Sequence, residues 1–137
     1  MYRSLHLEPP EKDAVPAARR RRWRHKFRDA FRGLKLGIRG QSSFFVHFFV
    51  GALVVVAAFL LGCTVLEWCI LLGCIGMVLV AELFNSAVET LFRGLDDAVK
   101  DKVWPCLDIA AGAVLLTSIF AAVIGGLVFL AQLAKLH

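Results

Sequence analysis

The sequence predicts an all-α membrane protein, in which an N-terminal amphipathic surface helix precedes three transmembrane helices. The prediction rests on the composition, on the length of the apolar segments and on where the cations lie. Of the 137 residues, 58% are hydrophobic, and the mean hydropathy is +0.69. Soluble domains are typically about half apolar or less, so this chain exposes apolar surface that a bilayer would have to cover.

The surface helix is predicted over residues 19–40, after a proline-containing flexible tail at residues 1–18. Its apolar residues recur at spacings of three and four, so they share one face, while Arg and Lys occupy the rest. That face consists of Trp23, Phe27, Ala30, Phe31, Leu34 and Ile38. A helix of this kind lies in the plane of the membrane interface. A soluble basic helix is the alternative interpretation.

Three transmembrane helices are predicted at residues 43–63, 67–93 and 105–134. About 20 apolar residues suffice to cross a hydrocarbon core of about 30 Å. The turn that begins at Gly62 is very short, so we expect the first two spans to form an antiparallel hairpin. Pro105 fits the first turn of the third helix, where a missing backbone N–H is tolerated.

The basic residues are concentrated near the N-terminus: most of the 16 Lys and Arg precede residue 40. Such a cluster suits anionic lipid, nucleic acid or a nucleotide. Because apolar spans follow directly, we favour the lipid surface and predict no nucleic-acid partner. The charged connector at 93–102 contains three of the remaining Lys and Arg residues, whereas the 62–67 turn contains none. The positive-inside rule therefore predicts a cytoplasmic N-terminus and a cytoplasmic connector.

The residues most indicative of function are Glu82, Asn85 and Glu89, which share one face of the second span at its predicted cytoplasmic end. An ionised carboxylate within a span is costly, so it usually has a function or a partner. One carboxylate can act as a general base and another can hold Mg²⁺. Together they would suit phosphoryl transfer to a hydroxyl at the membrane surface. The alternative is a helix-packing cluster, paired with Arg93 or with a neighbouring subunit.

Several common enzyme motifs are absent from the sequence, which has no Walker motif, no kinase glycine-rich loop and no HExxH. A conventional ATPase or metalloprotease is therefore unsupported. Residues 82–89 (ELFNSAVE) instead resemble the E-x-x-N-[ST]-A-[IV]-E signature of the prokaryotic diacylglycerol kinase family, which includes undecaprenol kinases. Residues 27–34 resemble the F-x-x-A-x-x-G-[LI] of the family's surface helix. Residues 44–47, 67–68 and 108–114 resemble the openings of its three spans, and the resemblance covers about residues 22 to 130.

The resemblance implies a homotrimer of three-span subunits in the bacterial inner membrane. Family members transfer the γ-phosphate of MgATP to the hydroxyl of a membrane lipid, such as diacylglycerol or a polyprenol. By motif match, Glu82 would be the catalytic base, Glu89 a ligand of the ATP-bound Mg²⁺, and Asp108 part of the nucleotide site. We expect Arg28 and Arg32 to neutralise phosphate charge. The residues expected to contact the lipid substrate are Asn85, Ser86, Phe44 and His47.

The sequence also departs from the family pattern. Gln41 stands where members usually have a second metal-binding glutamate, and its uncharged oxygen should hold Mg²⁺ more weakly. Leu107 replaces a phosphate-contacting lysine, and Arg93 replaces an aspartate and could supply the lost cation. Ser43 and Phe45 stand where many members have Asn and Arg.

These departures leave two alternatives open. One is a family member with lost or altered catalysis that serves as a lipid-binding or regulatory membrane protein. The other is a basic membrane anchor whose carboxylates are only structural.

Overall fold

The structure is a computed structural model that describes residues 23–39 and 42–135. Its five helices are α1 (Trp23–Ile38), α2 (Ser42–Leu60), α3 (Val65–Arg93), α4 (Asp97–Val103) and α5 (Pro105–Lys135). The predicted tail, the first residues of the predicted surface helix and Gln41 lie outside the described residues. Within the described ranges there is no β-strand, which agrees with the all-α prediction.

The helices α2, α3 and α5 are each long and apolar enough to cross a membrane, which confirms the prediction of three spans. The preceding helix, α1, has no buried residue. Trp23, Phe27 and Phe31 on its apolar face are 61–73% exposed. Since the described part of the chain does not cover these aromatic side chains, they suit burial at the lipid interface.

A tight turn joins α2 to α3. Gly62 adopts a φ of 64°, a left-handed conformation that glycine reaches without steric cost. Thr64 then caps α3 through a reciprocal capping box, in which the backbone N–H of Thr64 donates to Glu67 Oε2 at 2.7 Å and the backbone N–H of Glu67 donates to Thr64 Oγ1 at 3.4 Å. The sequence therefore specifies locally both the reversal of the chain and the start of the next helix.

The charged connector between α3 and α5 contains a short helix that its hydropathy does not reveal. Lys100 Nζ donates to Asp97 Oδ1 at 3.0 Å, one turn apart on α4. The N–H of Trp104 continues the helical pattern by donating to the Lys100 carbonyl, and α5 begins at the next residue. The connector is therefore compact, which brings the start of α5 back towards the end of α3.

The central helix of the fold is α3, because α1, α2 and α5 all pack against it. Small residues allow the helices to approach closely. A Cβ added at Gly51 of α2 would lie 3.1 Å from Ile75 of α3, and one added at Gly125 of α5 would lie 3.7 Å from Leu71. The buried apolar side chains are few: Phe44, Ala58, Leu71, Val78 and Val114. Most large apolar side chains of the three spans point outwards instead.

A polar contact fastens the N-terminal end of α3 to the C-terminal end of α5. The Gln132 amide donates to Glu67 Oε2, and Lys135 Nζ lies 3.3 Å from Glu67 Oε1. Gln132 is buried, so this bond satisfies a polar group within an otherwise apolar contact. The other polar cluster of α3 lies towards the opposite end of the helix.

Candidate active site

Three polar residues are buried in the C-terminal half of α3: Glu82 and Ser86 are each 2% exposed, and Asn85 is 7% exposed. In a helix of this length and hydropathy, burying a carboxylate requires partners that replace its hydration. Glu82 and Asn85 belong to the cluster predicted from the sequence, and Ser86 is one of the residues that the family resemblance assigns to substrate binding. The structure shows what surrounds each of them.

The partners of Glu82 come from α2. Ser43 Oγ donates a hydrogen bond to Glu82 Oε1. His47 Nε2 lies 3.9 Å from Glu82 Oε2. Ser43 and His47 are four residues apart, so they lie on one face of α2 and both reach the same carboxylate. Sequence reasoning placed His47 against the lipid and treated Ser43 only as a departure from the family. The sequence signal that could have indicated this contact is the spacing of Ser43 and His47, one helical turn apart at the start of a span.

Asn85 and Glu89 form a second polar pair, one turn apart on α3. Asn85 Nδ2 donates to Glu89 Oε1 at 2.9 Å. Asn85 Oδ1 is buried and accepts no hydrogen bond from the described residues. An amide oxygen beside a carboxylate provides the hard oxygen donors that Mg²⁺ prefers. The structure therefore places Asn85, which was predicted to contact the lipid substrate, beside Glu89, the predicted metal ligand.

Ser86 faces a different environment. Its hydroxyl is buried without a hydrogen-bond partner among the described residues. It lines a groove of about 1010 Å³ between α1 and α3, whose other walls include Leu34, Gly37 and Leu83. The groove is largely apolar, and Glu82 lies one turn before Ser86 on α3. An apolar groove with Ser86 in its wall, one helical turn from Glu82, suits an apolar ligand such as a lipid chain.

Of the other predicted site residues that the structure describes, Phe44 is buried, and Arg28, Arg32 and Asp108 are exposed. Arg28 Nη2 is 3.2 Å from His25 Nδ1, and Arg32 Nη2 is 3.9 Å from Asp29 Oδ1. Asp108 is exposed in the first turn of α5. The described contacts do not join these three surface residues to Glu82. Their predicted roles at a nucleotide would depend on the ligand reaching them.

Arg93, the proposed replacement cation, lies one turn beyond Glu89, and its Nη2 donates to Thr90 Oγ1 at 3.4 Å. Within the described part of the chain, no group of three or more His, Cys, Asp or Glu side chains could hold a metal ion. A metal bound at Glu89 would therefore have to bring further ligands with it, as a metal–nucleotide complex does.

These features define a small integral membrane protein with a surface helix and a buried carboxylate–amide site towards one end of its central span. The chain belongs to the prokaryotic diacylglycerol kinase family, whose model matches residues 28–129. This confirms the resemblance that the sequence motifs indicated.

Two relatives illustrate the range of the family. A diacylglycerol kinase of Synechocystis sp. is 32% identical over 111 residues, which cover 80% of this chain and 63% of that protein. An undecaprenol kinase of Bacillus subtilis is also 32% identical over 111 residues, covering 78% of this chain and 87% of that protein. The chain thus spans less than two thirds of the first relative. No solved structure matches it.

Proposed function

We propose that this protein is a membrane lipid kinase that transfers the γ-phosphate of ATP to the hydroxyl of diacylglycerol or a polyprenol. Membership of the family and the kinase names of both relatives support the proposal. The observation that carries it is Glu82, a carboxylate buried within a span and bonded by Ser43. A carboxylate inside a span is costly and usually has a function or a partner, and here it lies where the family signature has its catalytic base.

In the proposed reaction, Glu82 accepts the proton of the lipid hydroxyl while the lipid oxygen bonds to the γ-phosphorus of ATP and ADP leaves. General-base catalysis requires the base within hydrogen-bond reach of that proton. The groove between α1 and α3, which Ser86 lines, offers apolar walls for the carbons next to the headgroup, and Glu82 lies one turn away along α3. The unpaired Ser86 hydroxyl would bond the polar end of the lipid, in keeping with its predicted role in substrate binding.

The donor set fits a magnesium ion that arrives with ATP. Glu89 and the unpaired Asn85 Oδ1 would hold it, since Mg²⁺ commonly takes one or two protein oxygens and completes its shell with water and phosphate. When bound, the ion would neutralise charge on the transferring phosphoryl group. Gln41, Asp108, Arg28 and Arg32 are the further residues proposed for the metal and nucleotide.

We also propose the orientation and the assembly. The positive-inside rule supports a cytoplasmic N-terminus in the bacterial inner membrane, with Glu82 and Glu89 towards the cytoplasmic end of α3. A homotrimer is proposed from the family resemblance. The outward apolar faces of the spans offer surface for neighbouring subunits as well as for lipid.

Lipid-substrate profiling with labelled ATP and Mg²⁺ tests the proposal. Purified protein in mixed micelles would be given diacylglycerol, undecaprenol or a shorter polyprenol, and the phosphorylated lipid measured. We expect the wild type to phosphorylate at least one of them and Glu82→Gln to lower kcat by about 10²–10⁴-fold, the usual contribution of a general base.

The matched control is Glu67→Gln, which alters a glutamate near the other end of α3. Glutamine at this position can still complete the capping box, so this variant should keep its activity. If the wild type phosphorylated none of these lipids even at high Mg²⁺, the lipid-binding or regulatory alternative would be favoured instead.

A further inference from the structure

The carboxylate of Glu82 is approached on both oxygens by side chains of a different helix. Ser43 donates to Oε1 and His47 Nε2 lies 3.9 Å from Oε2, and both come from the first two turns of α2. The family signature on α3 contains neither residue. The contact is therefore formed only when α2 packs against α3.

We propose that Ser43 and His47 are positioning residues, which hold the Glu82 carboxylate in the orientation that proton transfer requires. This inference rests on the proposed lipid kinase function and adds two residues to its site. A glutamate side chain rotates about three bonds, and a base must be held within about 0.5 Å of its productive geometry. A hydrogen bond to one oxygen and a ring beside the other restrict that rotation.

Because Glu82 is buried, its contacts with Ser43 and His47 should affect the carboxylate more than the same contacts would at a surface. Glu82 is 2% exposed, so its carboxylate depends on protein partners in place of water. The Ser43 bond uses Oε1, which leaves Oε2, on the His47 side, as the oxygen available to a substrate hydroxyl. Ser43 therefore selects which oxygen acts as the base, and His47 limits where that oxygen points.

Packing of α2 keeps the two positioning residues in place. Phe44, which lies between them in sequence, is buried. Gly51, one turn beyond His47 on α2, permits a close contact with Ile75 of α3. The His47 ring also borders a cavity of about 130 Å³ between α2, α3 and α5. Because there is space beside the ring, smaller or similarly sized replacements at position 47 should fit without overpacking.

A purely structural role makes a different prediction. If Ser43 and His47 only compensated for the burial of a carboxylate, their loss would lower stability, and activity would fall in step with the folded fraction. Positioning instead predicts a fall in kcat that exceeds any loss of folded protein, with little change in KM. It also predicts rescue by a residue that restores a donor at position 43.

The experiment is steady-state lipid kinase kinetics in mixed micelles, with thermal unfolding followed on the same preparations. We expect Ser43→Ala and His47→Ala each to lower kcat by about 10-fold or more, as befits a lost contact to a buried charge. The KM values for MgATP and lipid should change by less than about twofold. Ser43→Thr and Ser43→Asn, which keep a donor, should recover most of the lost kcat.

Two controls make the result specific. Ser42→Ala removes an exposed hydroxyl one residue away and should leave kcat unchanged. In the Glu82→Gln background, Ser43→Ala should lower the residual rate no further, because residues that act as a unit are not additive.

The outcomes separate this inference from the proposed function. A wild type that is active and sensitive to Glu82→Gln, but whose Ser43→Ala and His47→Ala variants keep full kcat, would overturn the positioning role alone. Loss of kcat that only tracks unfolding, without rescue by Ser43→Thr, would overturn it as well. A wild type inactive on every lipid would overturn both.

Discussion

The side-chain amide of Asn85 donates to the Glu89 carboxylate at an N···O distance of 2.9 Å, one turn further along α3. This bond orients Glu89 and leaves Asn85 Oδ1 buried, with no described donor. A carboxylate and a buried amide thus lie one helical turn apart near the end of a membrane span. A positive ligand at this position would give the unpaired amide oxygen a partner.

The first prediction concerns the dependence of activity on magnesium. Glu89→Gln should raise the Mg²⁺ concentration needed for half-maximal lipid phosphorylation by about tenfold or more, because a neutral amide binds a hard cation more weakly than a carboxylate does. The measurement is a Mg²⁺ titration at saturating ATP. Asp97→Asn, which alters an exposed acid on α4, should leave the titration unchanged. An unaltered midpoint in Glu89→Gln would argue against Glu89 as a metal ligand.

The second prediction concerns the polar contact between α3 and α5. Glu67→Ala should lower the free energy of unfolding by about 1–3 kcal/mol, because it removes the capping interaction with Thr64 and leaves the buried Gln132 amide without its acceptor. Denaturant unfolding in micelles measures the change. Glu67→Gln should lose less, since it retains a side chain able to bond Thr64. Equal stability of Glu67→Ala and wild type would contradict this role.

The third prediction tests the close approach of α2 to α3. Gly51→Val should destabilise the protein by about 1–3 kcal/mol, because even a bare Cβ at position 51 would lie 3.1 Å from Ile75. In a double-mutant cycle, Ile75→Ala should restore part of the loss by making room for the added methyl groups. Thermal unfolding of the four proteins supplies the coupling energy. Purely additive effects would show that the two residues do not constrain each other.

The fourth prediction concerns Ser118, whose buried hydroxyl has no partner among the described residues. Ser118→Ala should leave stability unchanged or raise it by about 1 kcal/mol, since an unsatisfied buried hydroxyl carries an uncompensated desolvation cost. The neighbouring Thr117 differs, because its Oγ1 donates to the Ala113 carbonyl at 2.7 Å. The unfolding midpoints of Ser118→Ala and Thr117→Ala can be compared directly. A larger loss for Ser118→Ala would mean that its hydroxyl is satisfied in the membrane.

The membrane architecture was predictable because hydropathy is a property of contiguous sequence. Each span needs only enough consecutive apolar residues to match the bilayer, so no knowledge of neighbouring helices is required. The ends of the helices differ slightly from the predicted ones, because the first span ends at Leu60 and the second begins at Val65. The short helix α4 was less visible, because its charged residues lack the apolar periodicity by which helices are recognised.

The candidate site was likewise only partly predictable from the sequence. Glu82, Asn85 and Glu89 lie within two turns of one helix, so their shared face follows from helical geometry alone. The hydrogen bond from Ser43 to Glu82 joins residues 39 positions apart. No local periodicity relates them, and the contact depends on how α2 rotates and slides against α3.

The sequence by itself therefore determined the number of spans, the surface helix and the acidic face of α3, because each follows from composition or from repeat spacing within one segment. Only the tertiary structure decided which oxygen of Glu82 is occupied, which helix supplies its partners and where Ser86 meets a groove. Those features arise from side chains of different helices, and their distances are fixed by packing at residues such as Gly51 rather than by any pattern along the chain.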